Sequence, residues 1–373
     1  MHFYVTLTLN CNLECRYCYG KCCEDFDSNF DFDVDYSLPI SLSHDVEVLK
    51  RFCEEDPDLT LIFYGGEPLL RIDKIKEIMD KIKAKRFMMQ TNGVLLNKLD
   101  PEYANKFHTI LVSIDGNEEL TDIYRGKGTY RKVVDNVRLL RQRGFTGEII
   151  ARMTVMEQTD IFKQVTWLMS NSECAFSSVH WQLDALFWKS DYDKARFSEW
   201  IKEKYNPQIR KLVNSWVSHI EKQGEVLRIY PFVGLMQSLL LNEPSWLRCG
   251  AGWTEFNIQT DGNITPCPVM AGMKDYYLGN IADVKPQDLK NSVFVSEPCT
   301  ECEIYRLCGG RCLYANVTKL WGGEGFKLVC RTVENLVDSL KAVLPKVQQL
   351  IAEHKIRLED FEYTKYNSCE IIP

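Results

Sequence analysis

The feature that most constrains this chain is a repeated unit, an apolar β-branched run followed by a segment of helical periodicity. Six such runs stand at FYVTLTL 3–9, LTLIFY 59–64, RFMMQT 86–91, TILVSID 109–115, EIIARMTV 148–155 and SVHWQLDALF 178–187. Helix-period segments lie near 43–55, 71–84, 129–143 and 160–170, and Ser43, Asp73 and Asp160 offer opening caps. Repetition of this unit predicts an α/β fold with a parallel sheet, open or curled toward a barrel. Such sheets place their chemistry at the C-terminal ends of the strands. Polar, glycine-bearing or cysteine-bearing loops stand at four of those ends: CNLECRYCYGKCC at 11–23, Gly65-Gly66-Glu67-Pro68, Thr91-Asn92-Gly93 and Ser113-Ile114-Asp115-Gly116.

Cysteine usage decides what these loops hold. The chain has 15 cysteines, an odd number that cannot pair fully, and its opening MHFYVTLTLN lacks the basic and apolar regions of a secretory signal. Metal ligands in a reducing, cytoplasmic compartment are therefore expected. No apolar run reaches the length of a membrane span. A net charge of −7 argues against a nucleic-acid partner, which needs a basic surface, although one local patch would escape this count. Cys11, Cys15 and Cys18 are spaced to reach three corners of one iron–sulfur cluster, with one iron left open to substrate. The competing reading is a zinc knuckle closed by Cys22 or Cys23.

With Tyr17, those cysteines make a Cys-x-x-x-Cys-x-aromatic-Cys signature, and joined to GGEP at 65–68 it resembles the radical S-adenosylmethionine (SAM) enzymes. The resemblance implies a 4Fe-4S cluster whose open iron binds the amino and carboxylate groups of SAM. It places Tyr17 by the adenine, Gly65, Gly66 and Glu67 at the methionine ammonium, and Ser113 and Asp115 at the ribose. Arg125 would meet the methionine carboxylate with its fork of donors. Relatives carry a His-Asp pair before that arginine; here it reads Thr121-Asp122.

A second constellation runs from Cys249 through CGAGWTEFNIQTDGNITPC to Cys267, then Cys299, Cys302, Cys308, Cys312 and Cys330. A four-thiolate zinc site at Cys299, Cys302, Cys308 and Cys312 would leave the other three stranded. The order, the spacings and Gly262 resemble the SPASM extension of one radical SAM branch. That resemblance implies two auxiliary 4Fe-4S clusters, an outer one on Cys299, Cys302, Cys308 and Cys330 and an inner one on Cys249, Cys267 and Cys312. The inner set is one ligand short, and Glu243, another residue, solvent or substrate could complete it. The implied fold is a partial (β/α)6 TIM-type barrel over 1–225, a bridging segment and SPASM domain over 226–330, and a C-terminal helix and tail over 331–373.

Outside both signatures, Cys53 reads as a buried small hydrophobe. Cys174 and Cys369 carry no assignment, and Cys22 or Cys23 could reach the rim as a hydrogen-atom donor, although an inert role is favoured. The acidic, aromatic stretch at 24–39 is expected to be solvated or to cover the site. Trp200 and Trp216, in a helical insert at 194–222, are expected to pack in the core. The final helix, at 331–357, is expected to break at Pro345.

Resemblance further implies hydrogen abstraction from a peptide or protein substrate, ending in a crosslink, a thioether or an oxidised side chain, with an external flavodoxin- or ferredoxin-type electron donor. Sulfatase-maturing relatives place an aspartate directly after the cysteine at Cys267; Pro268 stands there, which disfavours formylglycine formation. Many peptide maturases also begin with a winged-helix leader-binding domain, whereas this sequence starts at its first strand. The alternatives are a porphyrin side-chain oxidative decarboxylase, a peptide epimerase, and a non-catalytic iron–sulfur carrier.

Overall fold

The computed structural model describes residues 1–18, 32–184, 194–290, 292–319 and 321–366. Cys22, Cys23, Cys369 and residues 24–31 of the acidic stretch lie outside the described residues.

The six apolar runs form strands β1 (His2–Thr6), β2 (Thr60–Tyr64), β3 (Arg86–Thr91), β4 (Phe107–Ser113), β5 (Glu148–Val155) and β6 (Ser178–Leu183). All six are parallel and lie in chain order across the sheet. Between them run α1 (Val46–Cys53), α2 (Ile72–Lys81), α3 (Glu118–Arg125), α4 (Thr129–Gln142) and α5 (Ile161–Ser170). This unbroken order, with crossover helices, is the arrangement of an open α/β barrel.

Alternation along the strands explains the packing. Phe3, Val5, Leu61, Phe63, Met89, Val112, Ala151, Met153 and Trp181 point to one face and join the helices in the main core. Complete burial of a ring such as Phe63 contributes about 1.5–3 kcal/mol. Tyr4, Ile62, Met88, Leu111 and Ile150 form a smaller apolar floor on the opposite, concave face. Further toward the C-terminal strand ends the same face turns polar, at Ser113, Arg152 and His180, which are paired across β4, β5 and β6.

Two strands were not legible in the sequence. β7 (Glu255–Ile258) pairs parallel to β1 on the side away from β2, and β8 (Ile264–Thr265) returns antiparallel to β7. At four and two residues they are too short to display an alternation. They bring the segment that carries Cys249 and Cys267 into the same sheet as the first strands.

Helix ends also differ from expectation. Asp45, not Ser43, caps α1 by accepting from the Glu47 amide, while the Ser43 hydroxyl donates to the Thr260 carbonyl at 3.0 Å. Asp73 makes no cap; it pairs with Arg71. Asp160 does cap α5, accepting from the Lys163 amide at 2.9 Å. After β6 come α6 (Asn206–Gln223), α7 (Tyr230–Leu241) and the long α8 (Gly322–Ala352). Trp216 is buried with its indole N–H donating to the Leu227 carbonyl at 2.9 Å, and Trp200 is buried too, as core packing requires. Helix α8 begins nine residues before 331, carries Cys330, and continues through Pro345. Among the described residues no helix is long and apolar enough to cross a membrane.

Candidate active site and thiol centres

The loop after β1 brings Cys11, Cys15 and Cys18 into electrostatic contact with one another, all half-buried. Its backbone is fixed from the neighbouring strand ends. The Arg16 amide donates to the Tyr124 carbonyl at 2.9 Å, and the Gly66 and Glu67 amides donate to the carbonyls of Thr8 (2.8 Å) and Asn10 (2.9 Å). A side chain at Gly66 would bring its Cβ within 2.2 Å of the Asn10 carbonyl oxygen, so glycine is a steric requirement for this approach.

Glu67 is fully buried and turned inward. Its carboxylate accepts from the Leu69 amide at 2.9 Å, the Thr91 hydroxyl at 2.7 Å and the Asn92 amide at 2.7 Å. Burial pushes the carboxyl up to about 7, against these three donors. The side chain thus clamps the GGEP loop to the Thr91-Asn92-Gly93 loop. Asn92 extends the clamp to the cysteines, since its amide nitrogen lies 2.8 Å from Asn12 Oδ1 and 3.7 Å from Cys11 Sγ.

Asp115 and Arg125 engage each other. Nε and Nη2 of Arg125 donate to the two carboxylate oxygens at 2.8 and 2.9 Å, with both side chains buried. Asp115 also accepts from the Tyr17 hydroxyl at 2.5 Å and the Thr154 amide at 3.0 Å. Burial holds the Tyr17 phenol well above its ordinary range, so it stays a donor, and its ring lies 5.4 Å from the guanidinium. Two of the five N–H donors of Arg125 are therefore held by Asp115, which is itself fully buried. Where relatives have histidine, the Thr121 hydroxyl accepts from the Asp115 amide at 3.2 Å and donates to the Gly116 carbonyl at 3.3 Å. Asp122 accepts from the amides of Gly128 and Tyr130, at the start of α4.

On the concave face Ser113 is half-buried, directly opposite Arg152 in the register of β4 and β5. Arg152 donates to Nδ1 of the buried His180 at 2.8 Å and to the Gln182 side-chain oxygen at 3.0 Å. The acceptor role of Nδ1 puts the proton of a neutral His180 on Nε2. Beside the cysteine loop, a cavity of about 190 Å³ is lined by Arg16, Met156, Gln158, Leu183, Asp184 and Trp200, among others.

The C-terminal thiols gather at two neighbouring places. Cys299, Cys302, Cys308, Cys312 and Cys330 line one cavity of about 200 Å³. Cys249 and Cys267 sit on the β7–β8 segment, and both are in electrostatic contact with Cys312. Cys312 therefore stands between the sets. Burial raises the thiols of Cys249 and Cys267 strongly, Cys308 to about 11 and Cys330 to about 12.

These residues fit iron–sulfur clusters in two respects. Amide donors face the sulfurs: the Asn316 side chain lies 3.4 Å from Cys299 Sγ, and the Leu13 amide 3.5 Å from Cys11 Sγ. A thiolate bound to iron profits from such donors, whereas a neutral thiol accepts only weakly. Moreover, five thiols line the single cavity of Cys299, Cys302, Cys308, Cys312 and Cys330, one more than a mononuclear zinc site takes. The missed members of the site are Thr91, Asn92, Thr121 and Arg152. The loops of the first two were visible after the third strand, but nothing local tells which side chains turn inward.

Comparison with known proteins agrees with this geometry. Residues 5–163 match the model of the Radical SAM superfamily. The chain is 25% identical over 331 residues to the cysteine-type anaerobic sulfatase-maturating enzyme of Clostridium perfringens, covering 81% of this chain and 85% of that one. It is 24% identical to the antilisterial bacteriocin subtilosin biosynthesis protein AlbA of Bacillus subtilis, covering 83% and 66%. Its fold superposes on the structure of native anSMEcpe with bound AdoMet and Cp18Cys peptide at a TM-score of 0.69, with 21% identity and coverage of 94% and 99%. Residues 5–163 are thus a radical SAM domain.

Proposed function

We propose that this radical SAM enzyme acts on a peptide or protein substrate and leaves it oxidised, as a crosslink, a thioether or an oxidised side chain. One observation carries the reading: the three-thiol loop, the GGEP and Thr91-Asn92-Gly93 clamp and the polar Ser113, Arg152 and His180 row share one rim of the sheet, and β7 places the second thiol set in the same sheet, at the strand ends away from that rim. SAM on a reduced 4Fe-4S cluster supplies a carbon-centred radical able to abstract hydrogen.

Cys11, Cys15 and Cys18 would hold that cluster. Because the Glu67 carboxylate is turned inward, the Gly65–Glu67 segment would meet the methionine ammonium through its backbone carbonyls. Ser113 would meet the ribose, with Tyr17, Asp115 and Arg125 forming a rigid wall behind it. Arg152, held by His180 and Gln182, supplies positive charge on the concave face to orient a substrate carboxylate or peptide carbonyl. The C-terminal thiols would carry two auxiliary clusters, giving the electron released on substrate oxidation a place to go; the likeness to peptide-modifying maturases supports a peptide substrate.

The test is anaerobic reconstitution with iron and sulfide, reduction by dithionite or a flavodoxin, and assay of 5′-deoxyadenosine from SAM. Formation of that product, with none from Cys15→Ala, is the expected result. Its absence from a fully loaded protein would refute the enzymatic reading.

A further inference from the structure

Cys249, Cys267 and Cys312 offer three thiolates where a closed cluster takes four ligands. Glu243, one of the residues the sequence offers as a fourth, lies elsewhere: its carboxylate pairs with Lys365 Nζ at 3.0 Å, and both groups are solvent-exposed.

Another carboxylate stands within the thiol segment itself. Residues 249–255 fold into a tight loop in which the Gly250 carbonyl accepts from the amides of Trp253 (3.1 Å), Thr254 (2.9 Å) and Glu255 (2.8 Å). The Gly252 amide in turn donates to the carbonyls of Glu255 (3.0 Å) and Pro266 (3.2 Å), which ties the loop to the residue preceding Cys267. A Cβ added at Gly250 would lie 3.2 Å from Glu255 Cβ, so the glutamate side chain leaves the backbone directly beside the residue that follows Cys249. Phe256 and Ile258 enter the main core, which turns Glu255 to the other face of β7. There it is only 3% exposed.

It lies close enough to act electrostatically on both Cys249 and Cys267. Carboxylate oxygen is an accepted iron ligand, harder than sulfur.

We propose that Glu255 is the fourth protein ligand of the cluster held by Cys249, Cys267 and Cys312. The inference rests on the reading that the C-terminal thiols hold clusters. A three-cysteine, one-glutamate set closes this cluster to substrate, so it serves electron transfer rather than substrate ligation, and one of its four irons differs from the rest.

The test uses the full chain carrying Cys11→Ala, Cys15→Ala and Cys18→Ala, which leaves only the C-terminal centres. After anaerobic reconstitution, iron and sulfide are counted and Mössbauer and EPR spectra recorded, with and without added cyanide. About eight irons per chain are expected, with one inequivalent iron site and no response to cyanide. Glu255→Cys should keep the iron and remove the inequivalent site, and Glu255→Ala should gain a cyanide-induced shift in the EPR signal. Should Glu255→Ala be too unstable to load, Glu255→Cys decides alone. Variants that reproduce the parent spectra, or a parent that itself responds to cyanide, overturn the ligand assignment while leaving the clusters standing. A parent without C-terminal iron overturns both.

Discussion

The pair formed by Asp115 and Arg125 invites a quantitative test, because both members are buried and joined by two charge-assisted hydrogen bonds. Asp115→Asn removes the negative charge and points an amide N–H₂ or a neutral oxygen at the guanidinium. Loss of one partner of a buried pair costs about 3–5 kcal/mol, since the other charge is left uncompensated. Counting bonds gives a similar figure, as two hydrogen bonds to charged groups contribute about 1.5–3 kcal/mol each. Arg125→Met should cost a comparable amount. The double variant should recover much of the loss, since replacing a whole buried pair by less polar groups removes the stranded charge. The coupling energy is therefore expected to exceed about 2 kcal/mol. Urea unfolding of the metal-free protein, followed by tryptophan fluorescence, measures all four corners of the cycle. Single variants that each cost under about 1 kcal/mol, or losses that simply add, would show that the pair is not a buried structural unit.

Gly66→Ala should expel the loop after β1, because its Cβ meets backbone rather than a flexible side chain; reconstituted protein is expected to lack about four irons while the C-terminal centres load normally. Thr91→Val removes one of three donors from the Glu67 carboxylate, and should destabilise the metal-free protein by about 1–3 kcal/mol in urea unfolding. Cluster loading should rise with pH. Burial raises the thiols of Cys15 and Cys308 to about 11 and Cys330 to about 12, so each is protonated at neutral pH and must lose a proton to bind iron. Apparent affinity for iron is then expected to grow by about tenfold per pH unit for each such ligand below its titration point. A loading curve flat between neutral pH and mildly alkaline pH would contradict this.

Much of the scaffold could be read from the chain because strands and crossover helices are written in local periodicity. The four rim loops were legible for the same reason, each being a glycine-bearing, polar or cysteine-bearing break after an apolar run. Partnerships were less accessible. Glu67 was expected to face a ligand, yet its partners Thr91 and Asn92 lie on another strand end, and only the assembled sheet shows that its carboxylate turns inward. Arg125 was expected to spend its donors on a carboxylate, and the carboxylate in the structure is Asp115. Helix α3, which carries that arginine, spans eight residues and was missed because so few turns display little periodicity. The cysteine spacings located the thiol groups, but not the glutamate that the β7 loop folds beside them.

The second partner of β1 has a consequence for how the chain is made. Its edge facing β2 is covered once Thr60–Tyr64 has been synthesised, whereas the opposite edge waits for Glu255–Ile258. Throughout that interval a strand bearing Phe3 and Val5 offers open backbone donors and acceptors, the condition under which strand edges recruit other chains. Fragments that end before residue 255 are thus expected to aggregate through β1 even when all six earlier strands are present. Ribosome-bound chains face the same exposure, so the hairpin of β7 and β8 also acts as the late-arriving guard of the barrel's first strand.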